Sequence, residues 1–168
     1  MWQRFTEHAR MVVFRAQEES GRLGDNNVND GHMLLGLLRV DDCGGLKVLA
    51  GLGVAPGAIR EAVAKRLSSG SGRPKQDMEL TPRGKRIIDL AYDEARSAGH
   101  NYIGSEHLIL AMIREGEGPA GLALAEAGLE LERARAEVLR LIGTGEISHP
   151  NEPSYPLRGP DTNLPPSA

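Results

Sequence analysis

The sequence predicts an all-α domain of eight helices, arranged as two pseudo-symmetric four-helix units. Three observations carry this. The 168-residue chain repeats itself at an offset of 75 positions without a gap: Thr6 matches Thr81, Ala16 Ala91, Glu19 Glu94, Gly24 Gly99, Asn26 Asn101, His32 His107, Leu35 Leu110, Arg39 Arg114, Leu49 Leu124 and Gly53 Gly128. Within each copy the apolar residues recur at helical spacing, and nothing reads as a strand. Helix-start residues (Thr, Ser, Asp, Pro) and helix-stop glycines sit at the ends of those periodic segments.

In the first copy, residues 6–23 place Ala9, Val12, Val13, Ala16, Ser20 and Leu23 on one stripe. Thr6 is a natural N-cap and Gly24 a natural stop. Asp30 is a cap for the next helix, His32–Arg39, which is apolar on most sides and so belongs at the centre of the bundle. Gly44–Leu52 is a short third helix closed by Gly53. Pro56–Leu67 is the fourth, with proline in its first turn and Ile59, Val63 and Leu67 facing in.

The second copy follows the same order. Thr81 caps a helix that begins at Pro82, with Ile87, Ile88, Ala91, Ala95 and Ala98 as its stripe and Gly99 as its stop. Ser105 caps 106–114, Pro119–Ala127 is the third helix, and Leu131–Leu141 is the fourth, facing in through Leu131, Ala134, Val138 and Leu141. The expected boundaries are repeat 1 at 2–67, a Ser/Gly/Pro-rich linker at 68–79, repeat 2 at 80–143, and a proline-rich, disordered tail at 144–168. Each unit holds few large apolar residues, so the two are expected to share a buried face.

A net charge of −3 and a pI near 6.0 give no general attraction to nucleic acid or anionic membranes. The single cysteine rules out a disulfide within the chain and suits a reducing compartment, so a cytoplasmic location is expected. The start of the chain lacks the apolar core of a signal peptide, and no apolar run approaches the roughly 20 residues that span a bilayer. Aromatic residues make up only 4%, too few for extensive base stacking.

Catalytic, metal and cofactor sites are not expected. His32 and His107 lack companions at zinc-ligand spacing and read as structural. Cys43 lies in the turn Asp41-Asp42-Cys43-Gly44-Gly45, where neighbouring acids disfavour a thiolate, and reads as a free surface cysteine. The basic cluster Arg83, Lys85, Arg86 sits beside Glu79 and Asp89, without a basic recognition helix. Arg83-Gly84-Lys85-Arg86 lacks both the leading glycine and the Ser/Thr of a phosphate loop, so ATP hydrolysis is not expected.

The segments FTEHARMVVFRAQEESGRLGDNNV (5–28) and LTPRGKRIIDLAYDEARSAGHNYIGSEHLILAMIREGEGPA (80–120) resemble the double-repeat N-terminal domain of the Clp AAA+ unfoldases, nearest to the ClpC type. The likeness covers residues 2–145. Clp unfoldases carry two ATPase modules after this domain. Here a proline-rich tail follows, and a free-standing N-domain protein is expected.

The resemblance implies a non-catalytic accessory or regulator of the Clp protease, whose partners are Clp unfoldase or protease components, adaptor proteins or arginine-phosphorylated substrates. The alternative it leaves open is a small-ligand sink for phosphoarginine or Clp-directed inhibitors. In repeat 2, Glu106 matches the family's guanidinium-binding Glu, in a motif reading Ser105-Glu106-His107 here. Thr81 and Lys85 are expected to hold the phosphate at a helix start. Spacing alone also fits ordinary capping by Thr81 and a dipole role for Glu106, so both readings stand.

In repeat 1 the motif is Asp30-Gly31-His32. Gly31 replaces the Glu, leaving Arg4 and Thr6 with a degraded site. A charge-assisted hydrogen bond contributes about 1.5–3 kcal/mol, so that loss is expected to weaken binding about tenfold or more. Trp2, Phe5 and Leu80 are candidates for an adaptor or peptide surface, with core packing as the other reading.

Overall fold

The computed structural model describes residues 2–70, 72 and 78–149. Among these residues, after a short 3₁₀ turn at Trp2–Arg4, come eight helices: α1 (Glu7–Arg22), α2 (Asp30–Leu37), α3 (Gly44–Gly51), α4 (Pro56–Ala64), α5 (Pro82–Ser97), α6 (Ser105–Glu115), α7 (Pro119–Glu126) and α8 (Leu131–Gly143). The fold is all-α, and the two copies superpose in element order. Linker positions 71 and 73–77 and tail positions 150–168 lie outside the described residues.

Thr6 and Thr81 act as expected: each hydroxyl accepts from the N–H three residues on, Ala9 and Gly84, at 3.1 Å. Gly24 and Gly99 end α1 and α5 with φ of 75° and 74°, a left-handed turn that glycine enters without a Cβ clash. All of α2 is buried, as is α6 from Ser105 to Met112. These two apolar helices form the centre. Ala98, expected in the α5 stripe, is exposed instead.

The repeats interlock. α3 packs on α6 and α7 on α2, so the third helix of each repeat lies on the central helix of the other. One continuous core results, running from Phe5 to Ile147.

Two features differ from expectation. The first is a pair of short strands, β1 (Asn27–Val28) and β2 (Glu79–Leu80), which pair in parallel, with a matching bridge between Phe5 and Ile103. Two-residue strands are too short to show alternation. They form because the residue before each capping threonine is extended and lies beside the loop entering the other repeat's central helix.

The second concerns the caps. Asn29 and Gly104 occupy the cap positions of α2 and α6, and Asn29 Oδ1 accepts from the His32 N–H at 3.0 Å. The expected caps, Asp30 and Ser105, reach across to the other repeat. Asp30 Oδ2 accepts from the Ala120 N–H in α7, and Ser105 Oγ accepts from the Gly45 N–H in α3, both at 2.9 Å. Each satisfies an orphan donor at a buried helix start.

Candidate functional site

The helix starts meet across the repeats. The Thr6 N–H donates to Ile103 O at 2.9 Å and the Ile103 N–H to Arg4 O at 2.8 Å, which joins the start of α1 to the loop entering α6. The equivalent bond, Thr81 N–H to Val28 O at 2.9 Å, joins the start of α5 to the loop entering α2. The start of α1 is thereby tied to the loop that leads to Glu106, and the start of α5 to the loop that leads to Asp30, which lines one cleft with Thr81.

This corrects the expected trio of Thr81, Lys85 and Glu106, which does not assemble into one site. The offset identifies equivalent residues, but the interlocked packing exchanges their neighbours. Lys85 is exposed on α5, and the cations lining the cleft at Thr81 are Arg83 and Arg86.

The Glu106 side chain is completely buried. Its carboxylate occupies a slot that exists because two neighbours are glycines: a Cβ on Gly44 would lie 2.3 Å from Oε2, and one on Gly104 2.2 Å from Oε1. His149 Nε2 lies 3.0 Å from Oε1. Oε2 has no hydrogen-bond partner among the described residues. Burial works against the charge, but the His149 hydrogen bond and the adjacent imidazoles outweigh it and hold the carboxyl below its usual value.

The cleft at Thr81 encloses about 690 Å³ and is lined by Asn29, Asp30, Arg83, Arg86 and Glu115 among others. It lacks the equivalent carboxylate. A Cβ on Gly31 would lie 2.7 Å from Leu67 Cδ2, so the leucine fills the space where a side chain would start. Asp30 is committed to Ala120, and burial raises its carboxyl above the usual range despite that bond. Arg83 Nε donates to Glu115 Oε1 at 2.9 Å.

Trp2 and Phe5 touch edge to face, with ring centroids 4.9 Å apart. Phe5 is fully buried, which corrects its assignment to an accessible surface: its ring belongs to the core. Leu80 lies in the other strand pair, against Val28, and Trp2 is 39% exposed. Cys43 is also corrected. It is fully buried at the start of α3, and burial pushes its thiol up, because the turn that holds it folds under the core.

The two repeated histidines lock helix starts. Nδ1 of His32 accepts from the Asn29 N–H at 3.0 Å, and Nδ1 of His107 accepts from the Gly104 N–H at 2.9 Å. Each Nε2 therefore carries the proton. His32 gives it to Asp25 Oδ2 at 2.9 Å and His107 to His100 Nδ1 at 2.8 Å.

Burial pushes His107 down to about 4 from an ordinary 6.5, so it stays neutral in the fold while the unfolded chain takes up a proton. The unfolded state then binds more protons, and stability falls as pH drops from about 6.5 toward about 4, by on the order of 3 kcal/mol. Melting temperatures across that range should fall more steeply for the wild type than for His107→Gln. Equal slopes would exclude His107 as the source.

Comparison with known proteins places this geometry. The description "Clp repeat (R) N-terminal domain" matches residues 4–127 and 79–158. The chaperone protein ClpB of Oceanobacillus iheyensis is 44% identical over 146 residues, covering 87% of this chain and 18% of its own length. The negative regulator of genetic competence ClpC/MecB of Bacillus subtilis matches with the same identity and coverage. The chain thus spans about a fifth of these relatives.

Among solved structures, the ClpD N-terminal domain from Arabidopsis thaliana aligns with a TM-score of 0.65 at 26% identity, covering 85% of this chain and 97% of that domain. The Hsp104 N-terminal domain from Candida albicans aligns at 0.66 and 15% identity, covering 83% and 92%. With matching repeats, matching helices and identity extending through both copies, this chain belongs to the family of Clp repeat N-terminal domains.

Proposed function

We propose that this chain is a non-catalytic docking module of the Clp proteolysis system, which binds substrates or adaptors and captures phosphorylated arginine at Glu106. The observation that carries the reading is the Glu106 carboxylate, fully buried, set in a slot between two glycines, with one oxygen lacking a partner among the described residues. Burying a carboxylate is costly unless it is paired, and a guanidinium offers two parallel donors for its two oxygens. The start of α1, with Arg4 and Thr6, supplies the positive end of a helix dipole beside the loop that enters α6, which suits the phosphate of the same ligand. The Thr81 cleft, with leucine in place of a carboxylate, is the degraded counterpart. Membership of the Clp family directs the partner toward Clp substrates, adaptors or unfoldase components. No helix among the described residues is long and apolar enough to cross a membrane.

Calorimetric titration with phosphoarginine tests this. One equivalent should bind, the Glu106→Ala variant should bind at least tenfold more weakly, and Lys85→Ala should leave binding unchanged. Absence of binding both in the wild type and in a His149→Ala chain, where Glu106 is uncovered, would overturn the reading.

A further inference from the structure

We propose that residues 144–149 form an autoinhibitory strap, in which the His149 imidazole occupies on Glu106 the place that the guanidinium of a ligand takes. The inference rests on the receptor reading above and adds its regulation. These six residues belong to the expected tail, yet they fold back over the site. Thr144 Oγ1 donates to Leu141 O at 3.1 Å, and Gly145, at φ 79°, turns the chain. The Ile147 N–H donates to Leu141 O at 3.0 Å, and the Ile147 side chain, 4% exposed, joins the core. From α3, Lys47 Nζ donates to Glu146 O at 2.6 Å. The strap thus has anchors on α8 and α3 before it reaches α6.

At its end, His149 Nε2 sits 3.0 Å from Glu106 Oε1, and its ring lies edge-on to Tyr102, with centroids 4.6 Å apart. The titratable groups around the imidazole are Glu106, His107, His100 and Tyr102.

The chemistry of the contact makes it displaceable. An imidazole brings a single N–H to the slot and serves one carboxylate oxygen, which leaves Oε2 without a partner among the described residues. A planar guanidinium serves both oxygens at once. The strap is therefore an incomplete mimic of the ligand. It satisfies Glu106 well enough to keep the slot covered, and a better donor outcompetes it. Apparent affinity is lowered by the fraction of molecules in which the strap is closed.

The test is titration of phosphoarginine into the full chain as wild type, His149→Ala and Ile147→Asp. Melting curves establish that each is folded. Both substitutions should tighten binding by about tenfold. If Ile147→Asp does not fold, His149→Ala, a change at the end of the strap, decides alone. Equal affinities for wild type and His149→Ala would overturn the strap and leave the receptor standing. Weaker binding by His149→Ala would make His149 a ligand contact and also overturn the strap. Absence of binding in all folded chains would remove the receptor and the strap with it.

Discussion

Replacing Phe5 by alanine should lower the unfolding free energy by about 3–5 kcal/mol. The ring is fully buried, lies 4.9 Å from Trp2 and 6.1 Å from Tyr92 of α5, and belongs to a residue whose backbone bridges to Ile103. It thus fills space where the start of repeat 1 meets repeat 2. Removing it deletes apolar contacts to both and leaves a cavity that backbone bridges hold open. At roughly 2–4 °C per kcal/mol for a domain of this size, the melting temperature should fall by about 10 °C. Leu80, its partner at the repeat offset, is only partly buried, so Leu80→Ala should cost clearly less. Similar losses from the two substitutions would show that Phe5 holds no special place between the repeats.

The second large effect is expected at Gly36. A Cβ there would lie 2.6 Å from both Val12 O and Ala16 N and 3.0 Å from Ala16 Cα, all backbone atoms of α1. Backbone cannot turn aside as a flexible side chain can, so the central helix must move away from α1. For Gly36→Val the strain, the lost packing and the β-branched side chain act together, and a cost of about 3 kcal/mol or more is expected. Gly36→Ala should cost less, because alanine recovers about 1 kcal/mol of helix propensity. The position equivalent to Gly36 is Ala111 in α6, so the second repeat already accommodates a methyl at its own crossing. Urea midpoints of the two Gly36 variants measure the effect. A wild-type midpoint for Gly36→Val would mean that α1 and α2 are not in such close approach.

Much of the architecture is legible in the residues. The 75-residue offset identifies the two repeats, and the threonine caps, the stop glycines and most of the apolar stripes of α1, α4, α5 and α8 lie where helical periodicity puts them, the exceptions including Ala98, which is exposed, and Leu67, which lies past the end of α4 at Ala64. What sequence cannot convey is which repeat each helix start faces. Glu106 and Thr81 belong to one repeat along the chain and to two sites in space, because the offset records equivalence and packing decides neighbours. The caps show the same gap. Asp30 is the expected cap of α2, and Asn29, which takes that place, is not singled out: both residue types are favoured at helix starts, so the pair does not say which one caps. Ser105 follows a glycine that has no side chain to cap with, so the serine reads as the cap although Gly104 holds that position. The strap was hidden for a different reason. Its composition is that of a solvated tail, and Ile147 and His149 gain meaning only beside Leu141 and Glu106.

The crossed caps of Asp30 and Ser105 have a bearing on assembly. Each repeat lends the other the same favour through equivalent residues, and each receives it at equivalent positions, Ala120 and Gly45. Such reciprocity is the hallmark of an isologous interface, the kind found between the identical subunits of a two-fold dimer. Here both partners belong to one polypeptide. The linker converts what would otherwise be a concentration-dependent dimerisation into an intramolecular event, and keeps the two halves stoichiometric.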